Sequence, residues 1–456
     1  MAFALMLLVT QRPFFSTVLV TAFLLLIVII GNAKFTSLRE PFTFQDFRYL
    51  SDAIRFPRLY LPFLGLIKGA LIVVMIIIAI GSGMLLEESA NNMWIALQTV
   101  ACIALLGIAV LWLGSRYSSA PSFKPDLDIQ RLGLLPSLFL YWRESRKLPA
   151  MTSPLNDLVL DIQAKQLKPN LIAIQSESFF DPRPLNSSIK KEVLSAFDRM
   201  QSTSVQFGSL EVPAWGANTV RTEFSFLSGI DNALLSPHQF NPYEAVLRGW
   251  RVGGIAHKLR NEGYRTICIH PYMASFYKRS DVFPLLGFDE FIDIQSFDGA
   301  QRSGPYISDK AVTEKIIKTI QGHSDRPLFI FVITMENHGP LHLETIAREE
   351  LETYYHRTPP ESWSDMSIYL RHLRNADEMI GSLMKWFEEN PYPTSLCWYG
   401  DHVPIMKKVY GGIKEVPSET NFIIWNNFQK GHSRSGHSQL QVSELASVWL
   451  QESFID

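Results

Sequence analysis

Three short segments of this 456-residue chain hold residue types that can do chemistry. Gly400-Asp401-His402 pairs a carboxylate with an imidazole. Such a pair ligates metals, but in a turn it is more commonly a cap or a surface loop. Glu177, in Gln175-Ser176-Glu177-Ser178-Phe179, serves equally well as a helix cap. Thr219, in Ala217-Asn218-Thr219-Val220-Arg221-Thr222-Glu223-Phe224, is unremarkable by itself. The plain readings weaken because these pieces occur together, in order, and at the ends of strand-like runs.

Those runs are short and apolar: residues 171–175, 266–270, 328–334 and 396–399. Helical stretches such as 307–320 and 369–387 separate them. Strands alternating with helices predict an α/β fold with helices on both faces of a sheet. Glu177, His270, His338, Asp401 and His402 all lie at or just after strand-like runs, where open α/β sheets place their sites. Leu155, Leu158, Val159 and Ile162 have helical spacing and predict a helix leading into this domain.

Composition excludes several classes. With 47% hydrophobic residues the chain is not disordered, and a net charge of −2 gives no case for a nucleic-acid partner. Cys102, Cys268 and Cys397 cannot build a disulfide framework, and the latter two lie in strand-like runs that read as core. No phosphate-binding glycine loop or dinucleotide fingerprint is present, so no nucleotide donor is indicated. The 19% charged residues are unevenly spread: 13–33, 69–86 and 89–115 carry none, and each run is long enough for a bilayer. They predict three transmembrane helices, at 13–33, 63–84 and 92–114, within a transmembrane domain over 1–116. Residues 117–168 read as a juxtamembrane linker with amphipathic helices, basic enough for anionic lipid but equally readable as a solvated connector. Residues 169–456 read as a polar, chemically equipped domain; all 11 histidines lie beyond residue 237.

The ordered motifs resemble the lipoteichoic acid synthase group of the alkaline phosphatase/sulfatase superfamily across residues 169–405. Beyond the segments quoted above, the resemblance rests on His270, Phe276-Tyr277-Lys278-Arg279, Leu286-Gly287-Phe288-Asp289-Glu290-Phe291 and Thr334-Met335-Glu336-Asn337-His338-Gly339-Pro340. It implies N-terminal transmembrane helices followed by a sulfatase-like α/β domain with a central, mostly parallel sheet. It also implies one divalent metal ion on Glu177, Thr219, Asp401 and His402. Thr219 is then the nucleophile, with His270, Tyr277, Arg279 and His338 around the substrate phosphate. Two carboxylates, a hydroxyl and an imidazole suit Mn²⁺ first, with Mg²⁺ or Zn²⁺ as the other candidates. A cation helps a threonine hydroxyl act as an alkoxide. Arg279 can hold phosphoryl oxygens through two parallel hydrogen bonds, and His338 or His270 can protonate the leaving oxygen and later activate an acceptor. Trp215 fits stacking on a sugar or glycerol as well as packing, while His432 and His437 read as surface loop.

The implied reaction is ping-pong phosphoglycerol transfer from phosphatidylglycerol, through a covalent phospho-threonine, to a glycan or glycolipid hydroxyl. A phosphoethanolamine transferase or a phosphodiesterase would use the same residues; a silent glycan- or lipid-binding membrane protein would need no nucleophile. The Thr219 segment lacks the Cys/Ser-x-Pro-x-Arg pattern of formylglycine sulfatases. Arg221 replaces an acidic residue found in many of the polymer-making synthases, and three spans stand where those have five, so the chain reads as beginning near their third. The positive-inside rule places both basic flanks in the cytoplasm. The resemblance places the catalytic domain in the periplasm, at a bacterial inner membrane, and lipid-headgroup transfer without a nucleotide suits that side.

Overall fold

The computed structural model describes residues 2–57, 59, 65–89, 93–117, 120–160, 168–323, 325–390, 392–429 and 437–454. They fall into two compact units, Met1–Lys147 and Leu148–Asp456. Helices Pro125–Leu132 and Leu134–Ser145 belong to the first unit.

Helices dominate the first unit. Ala2–Thr10 stops short of Pro13, which opens Pro13–Leu38 in the first turn, where a missing N–H costs nothing. The Glu87 carboxylate accepts the Phe14 and Phe15 amides at 2.9 and 2.7 Å, closing that helix end. Among the described residues, three helices are long and apolar enough to cross a membrane: Pro13–Leu38, Gly69–Leu86 and Leu97–Gly114. Eighteen helical residues span about 27 Å, close to a hydrocarbon core. Leu71, Ile77, Leu105 and Leu106 point outward, an arrangement that suits lipid rather than water. Residues 63, 64 and 92 of the expected spans lie outside the described residues.

The second unit is built on an eight-stranded sheet: β1 (Asn170–Ser176), β2 (Gln206–Glu211), β3 (Arg265–Ile269), β4 (Glu290–Ile292), β7 (Leu328–Ile333), β8 (Thr394–Gly400), β9 (Thr420–Asn426) and β10 (Ser438–Gln441). Two short strands, β5 (Arg302–Ser303) and β6 (Tyr306–Ile307), pair separately. The sheet order is β10-β2-β9-β8-β1-β7-β3-β4, parallel except where β9 runs against β2 and β8. The α/β architecture with a mostly parallel sheet agrees with the expectation. β1, β7 and β8 are buried along their whole length, as their apolar runs demand in a sheet covered on both faces. Alternate residues serve opposite cores. Ile172, Ile174, Ile330, Val332 and Trp398 pack toward the long helix Ser364–Glu389. Leu171, Ala173, Phe331, Ile333 and Tyr399 pack toward helices Thr219–Ser228 and Val442–Phe454.

Among the described residues, the helix expected around Leu155 is absent. Around Leu155 the chain makes only the 3₁₀ turn Pro154–Asp157, with Leu155 buried and Val159 90% exposed. Ser153 explains the difference: its amide donates to Val252 O at 2.8 Å and its hydroxyl to Ser228 O at 2.5 Å. Those contacts pin the segment to the unit and override its local periodicity. Ile162 lies outside the described residues.

Candidate active site

Strand register creates the site. β1 and β8 pair in parallel with Ser176 opposite Gly400, so Glu177 and Asp401, 224 positions apart in sequence, emerge side by side. A Cβ on Gly400 would lie 1.9 Å from Phe179 O, so only glycine permits this approach. Ser178 takes φ 53°, a left-handed conformation that a serine adopts only under constraint. Its amide donates to Asp401 Oδ1 at 2.8 Å and its hydroxyl to Glu177 Oε1 at 2.9 Å.

Glu177, Asp401 and His402 are buried, with one ligand atom from each lying within 4.8 Å of the others. His402 Nε2 is 3.4 Å from Asp401 Oδ2, 3.7 Å from Glu177 Oε1 and 3.5 Å from Thr219 Oγ1. Its Nδ1 lies 3.1 Å from Val403 O, which assigns the proton to Nδ1 and turns the Nε2 lone pair toward the carboxylates. Asp401 Oδ2 is buried and lacks a hydrogen-bond donor among the described residues. Burial, then the Asp401 charge, pushes the Glu177 carboxyl up to about 8. Crowded buried carboxylates, an orphaned oxygen and an imidazole lone pair fit a divalent cation.

Thr219 opens helix Thr219–Ser228, behind Gly216 and Asn218, both at positive φ. Its hydroxyl therefore sits at a helix N-terminus, where N–H groups and the dipole favour an anion. Thr222, one turn into the register, donates its hydroxyl to Asp401 O at 2.8 Å and ties the helix to the carboxylates.

A second group converges from β3 and β7. His270 follows β3; its Nδ1 is 3.1 Å from Ile333 O and its Nε2 3.3 Å from Arg279 Nη1. Burial and then the Arg279 charge hold its pKa well below the usual histidine value, so the ring is neutral with both nitrogens engaged. That arrangement suits positioning Arg279 rather than proton transfer. Arg279 is 2% exposed, and its Nε and Nη2 meet Glu223 Oε1 and Oε2 at 3.0 and 2.8 Å. The expected parallel pair of hydrogen bonds is thus spent on Glu223, whose Oε1 also accepts the Tyr243 hydroxyl. Tyr277 lies under the guanidinium, 5.2 Å from ring centre to Cζ, and Tyr277 and Lys278 are both left-handed at φ 54°. His338, beyond β7, has Nδ1 2.6 Å from Gly339 O and 3.3 Å from the Tyr306 hydroxyl, leaving Nε2 as its reactive nitrogen. Burial lowers its pKa, and the Asp401 carboxylate opposes the shift.

The chain therefore gathers Glu177, Thr219, Asp401 and His402 tightly, and sets His270 and Arg279 as one pair. Trp215 stands apart, its indole donating to Pro417 O at 3.0 Å and its ring packing on Tyr410. His437 is exposed, and His432 lies outside the described residues. Cys268 and Cys397 are buried core.

Residues 169–451 match the family model described as Sulfatase. The chain belongs to the sulfatase family. It is 29% identical over 276 residues to a Rhizobium meliloti (strain 1021) protein named for cyclic beta-1,2-glucan modification. That alignment covers 57% of this chain and 42% of the relative, so the chain spans less than half of that protein's length. Streptococcus pyogenes phosphoglycerol transferase GacH, in complex with sn-glycerol-1-phosphate, is similar with TM-score 0.52 and 20% identity over 73% of this chain and 81% of that one. The integral membrane lipooligosaccharide phosphoethanolamine transferase EptA from Neisseria meningitidis gives TM-score 0.62 and 13% identity over 98% of this chain and 86% of that one. Both likenesses are likenesses of fold.

Sequence reasoning assigned no role to Ser178, Thr222, Glu223, Tyr243 or Tyr306. Glu223, four positions after Thr219, was detectable as its neighbour on the same helix face. Tyr243 and Tyr306 carry no local signal, since only folding brings them in.

Proposed function

We propose that this protein is a membrane-anchored, metal-dependent phosphoglycerol transferase. One observation carries the reading: a threonine hydroxyl at a helix N-terminus, 3.5 Å from the imidazole of a buried Glu-Asp-His cluster. A binding protein has no use for that arrangement, whereas covalent phosphoryl transfer requires it.

Glu177, Thr219, Asp401 and His402 would hold one divalent ion, Mn²⁺ being the first candidate, which when bound lowers the pKa of the hydroxyl and offsets phosphoryl charge. Thr219 Oγ1 attacks the phosphorus of phosphatidylglycerol while the N-terminal amides of its helix face the phosphoryl oxygens. The bond from phosphorus to the diacylglycerol oxygen breaks, and the proton that His338 Nε2 takes from the Thr219 hydroxyl as it attacks passes to that oxygen. His338, now neutral, removes the proton from an acceptor hydroxyl, which displaces Thr219 and carries glycerol phosphate away. Arg279 stays fixed by Glu223 and His270, and its guanidinium charge, felt as far as Glu177, favours a substrate anion.

A glycan or glycolipid acceptor is supported by the glucan-modification name of the 29% identical relative. The outward apolar helices support a lipid donor, reached from the periplasmic face of a bacterial inner membrane by residues 169–456. A periplasm-dependent reporter fused after Asp456 gives signal on this topology and stays silent on the opposite one.

The test incubates the purified full chain and Mn²⁺ with headgroup-labelled phosphatidylglycerol, running phosphatidylethanolamine in parallel. Label trapped on Thr219, with diacylglycerol released, is expected in the glycerol arm. Label only in the ethanolamine arm refutes the donor assignment. Release unaffected by Thr219→Ala refutes the mechanism.

A further inference from the structure

Behind His338 lies a buried cluster that the mechanism above does not use. His372, on helix Ser364–Glu389, is fully buried. Its Nδ1 is 3.1 Å from Glu336 Oε1, and its Nε2 is 3.0 and 3.1 Å from the two Glu344 oxygens. A carboxylate on each ring nitrogen requires both to carry hydrogen, so the ring is an imidazolium. Burial opposes that charge, but the hydrogen bonds the ring donates to Glu336 and Glu344 outweigh it and raise the pKa to about 9.

Glu336 and Glu344 bracket the loop that presents His338. One ring thus fastens both ends of that loop to the longest helix of the unit. Glu336 also accepts the Asp309 amide at 2.7 Å and the Asn375 side chain, while Arg371 reaches Glu344 at 2.7 Å. Ser303 approaches His372 Nδ1 at 3.4 Å. Asp309, the remaining acid facing the ring, is held protonated by burial and by Glu336. Two carboxylates therefore balance one imidazolium and one guanidinium. Such a closed set costs less than any of its members left alone.

We propose that His372, as an imidazolium clamped between Glu336 and Glu344, is a positioning residue that fixes the His338 loop for proton transfer. The proposal rests on the reading of His338 as acid and base, and it is independent of which lipid or acceptor is used.

The experiment compares the full chain with His372→Gln in detergent with Mn²⁺, using methyl phenyl phosphate as the chromogenic probe, because its phenoxide leaves best with a proton and its cleavage needs no particular headgroup. Glutamine can serve one carboxylate but not both. The expected result is a kcat about 10- to 100-fold lower with KM nearly unchanged, the cost typical of losing a supporting contact. Wild-type kcat should fall as pH rises through about 9, where the ring loses its proton, and the variant should lack that limb. A variant with wild-type kcat, a change confined to KM, or an alkaline limb that persists overturns the proposal. Nitrogen NMR of histidine-labelled wild type at pH 8 gives a reading that does not depend on activity or on the variant's folding. Both His372 nitrogens protonated supports the clamp, and a neutral ring overturns it. Cleavage of the chromogenic diester without cleavage of either phospholipid would refute the lipid donor while leaving this proposal standing.

Discussion

The Glu223–Arg279 pair offers a quantitative test, because both partners are almost wholly buried and meet through two bonds of 3.0 and 2.8 Å. Arg279→Met leaves the Glu223 carboxylate with the Tyr243 hydroxyl alone. Glu223→Leu leaves a guanidinium without its counter-charge. Breaking a buried pair from one side costs about 3–5 kcal/mol, roughly 150- to 5,000-fold in the folding equilibrium. Removing both charges together leaves chiefly the Tyr243 hydroxyl without an acceptor, about 1–3 kcal/mol. The double variant should therefore be more stable than the sum of its parents by several kcal/mol. Cys268 and Cys397 supply the readout: both are buried in the second unit, whereas Cys102 lies on the helix Leu97–Gly114 and is replaced by alanine beforehand. Labelling these two thiols across a urea series follows unfolding of the second unit alone. If the double variant costs as much as the two single ones added, the residues act independently and the reasoning fails.

Asp401→Asn should keep the fold, since its Oδ1 can still accept the Ser178 and His402 amides at 2.8 and 2.9 Å, yet lose metal binding at Oδ2. A metal-dependent rise in Tm should vanish in that variant while Tm without metal changes little. In the wild type, chelation should lower Tm and metal at 100 times its Kd should restore about 2.7 kcal/mol; a Tm indifferent to Mn²⁺ would refute the metal site. The His270 pKa is depressed, so above pH 6.5 it contributes no pH dependence, while below that value the unfolded chain gains a proton that the folded one resists. Stability should fall by about 1 kcal/mol between pH 7.5 and 5.5 from this residue, and His270→Asn should reduce the slope measured by thiol labelling. His338→Gln should abolish label transfer to an acceptor while sparing stability, as judged by the same labelling; full transfer by that variant would remove it from the mechanism.

Local sequence carried much of the architecture. The apolar runs that became β1, β3, β7 and β8 announce themselves because parallel strands covered on both faces have no polar positions to interrupt them. Three uncharged stretches announce helices of membrane-crossing length for the same reason: lipid and core both exclude charge. The weakly apolar strand β2 and the edge strand β10 gave no such signal, and β9 reads as a strand only once its antiparallel partners exist. Residue types and order also singled out Glu177, Thr219, Asp401 and His402, but their separation along the chain said nothing of distance. The register of Ser176 against Gly400 is a property of the folded sheet, and it decides that two carboxylates meet. The same holds for Arg279, whose sequence neighbourhood suggests a phosphate ligand while the fold commits its paired donors to Glu223. His372 lies in an ordinary helical stretch, and only packing shows that it joins both ends of the His338 loop. Chemistry resides in side-chain identity, which the sequence states outright; pKa, protonation and reach depend on neighbours that only long-range packing supplies.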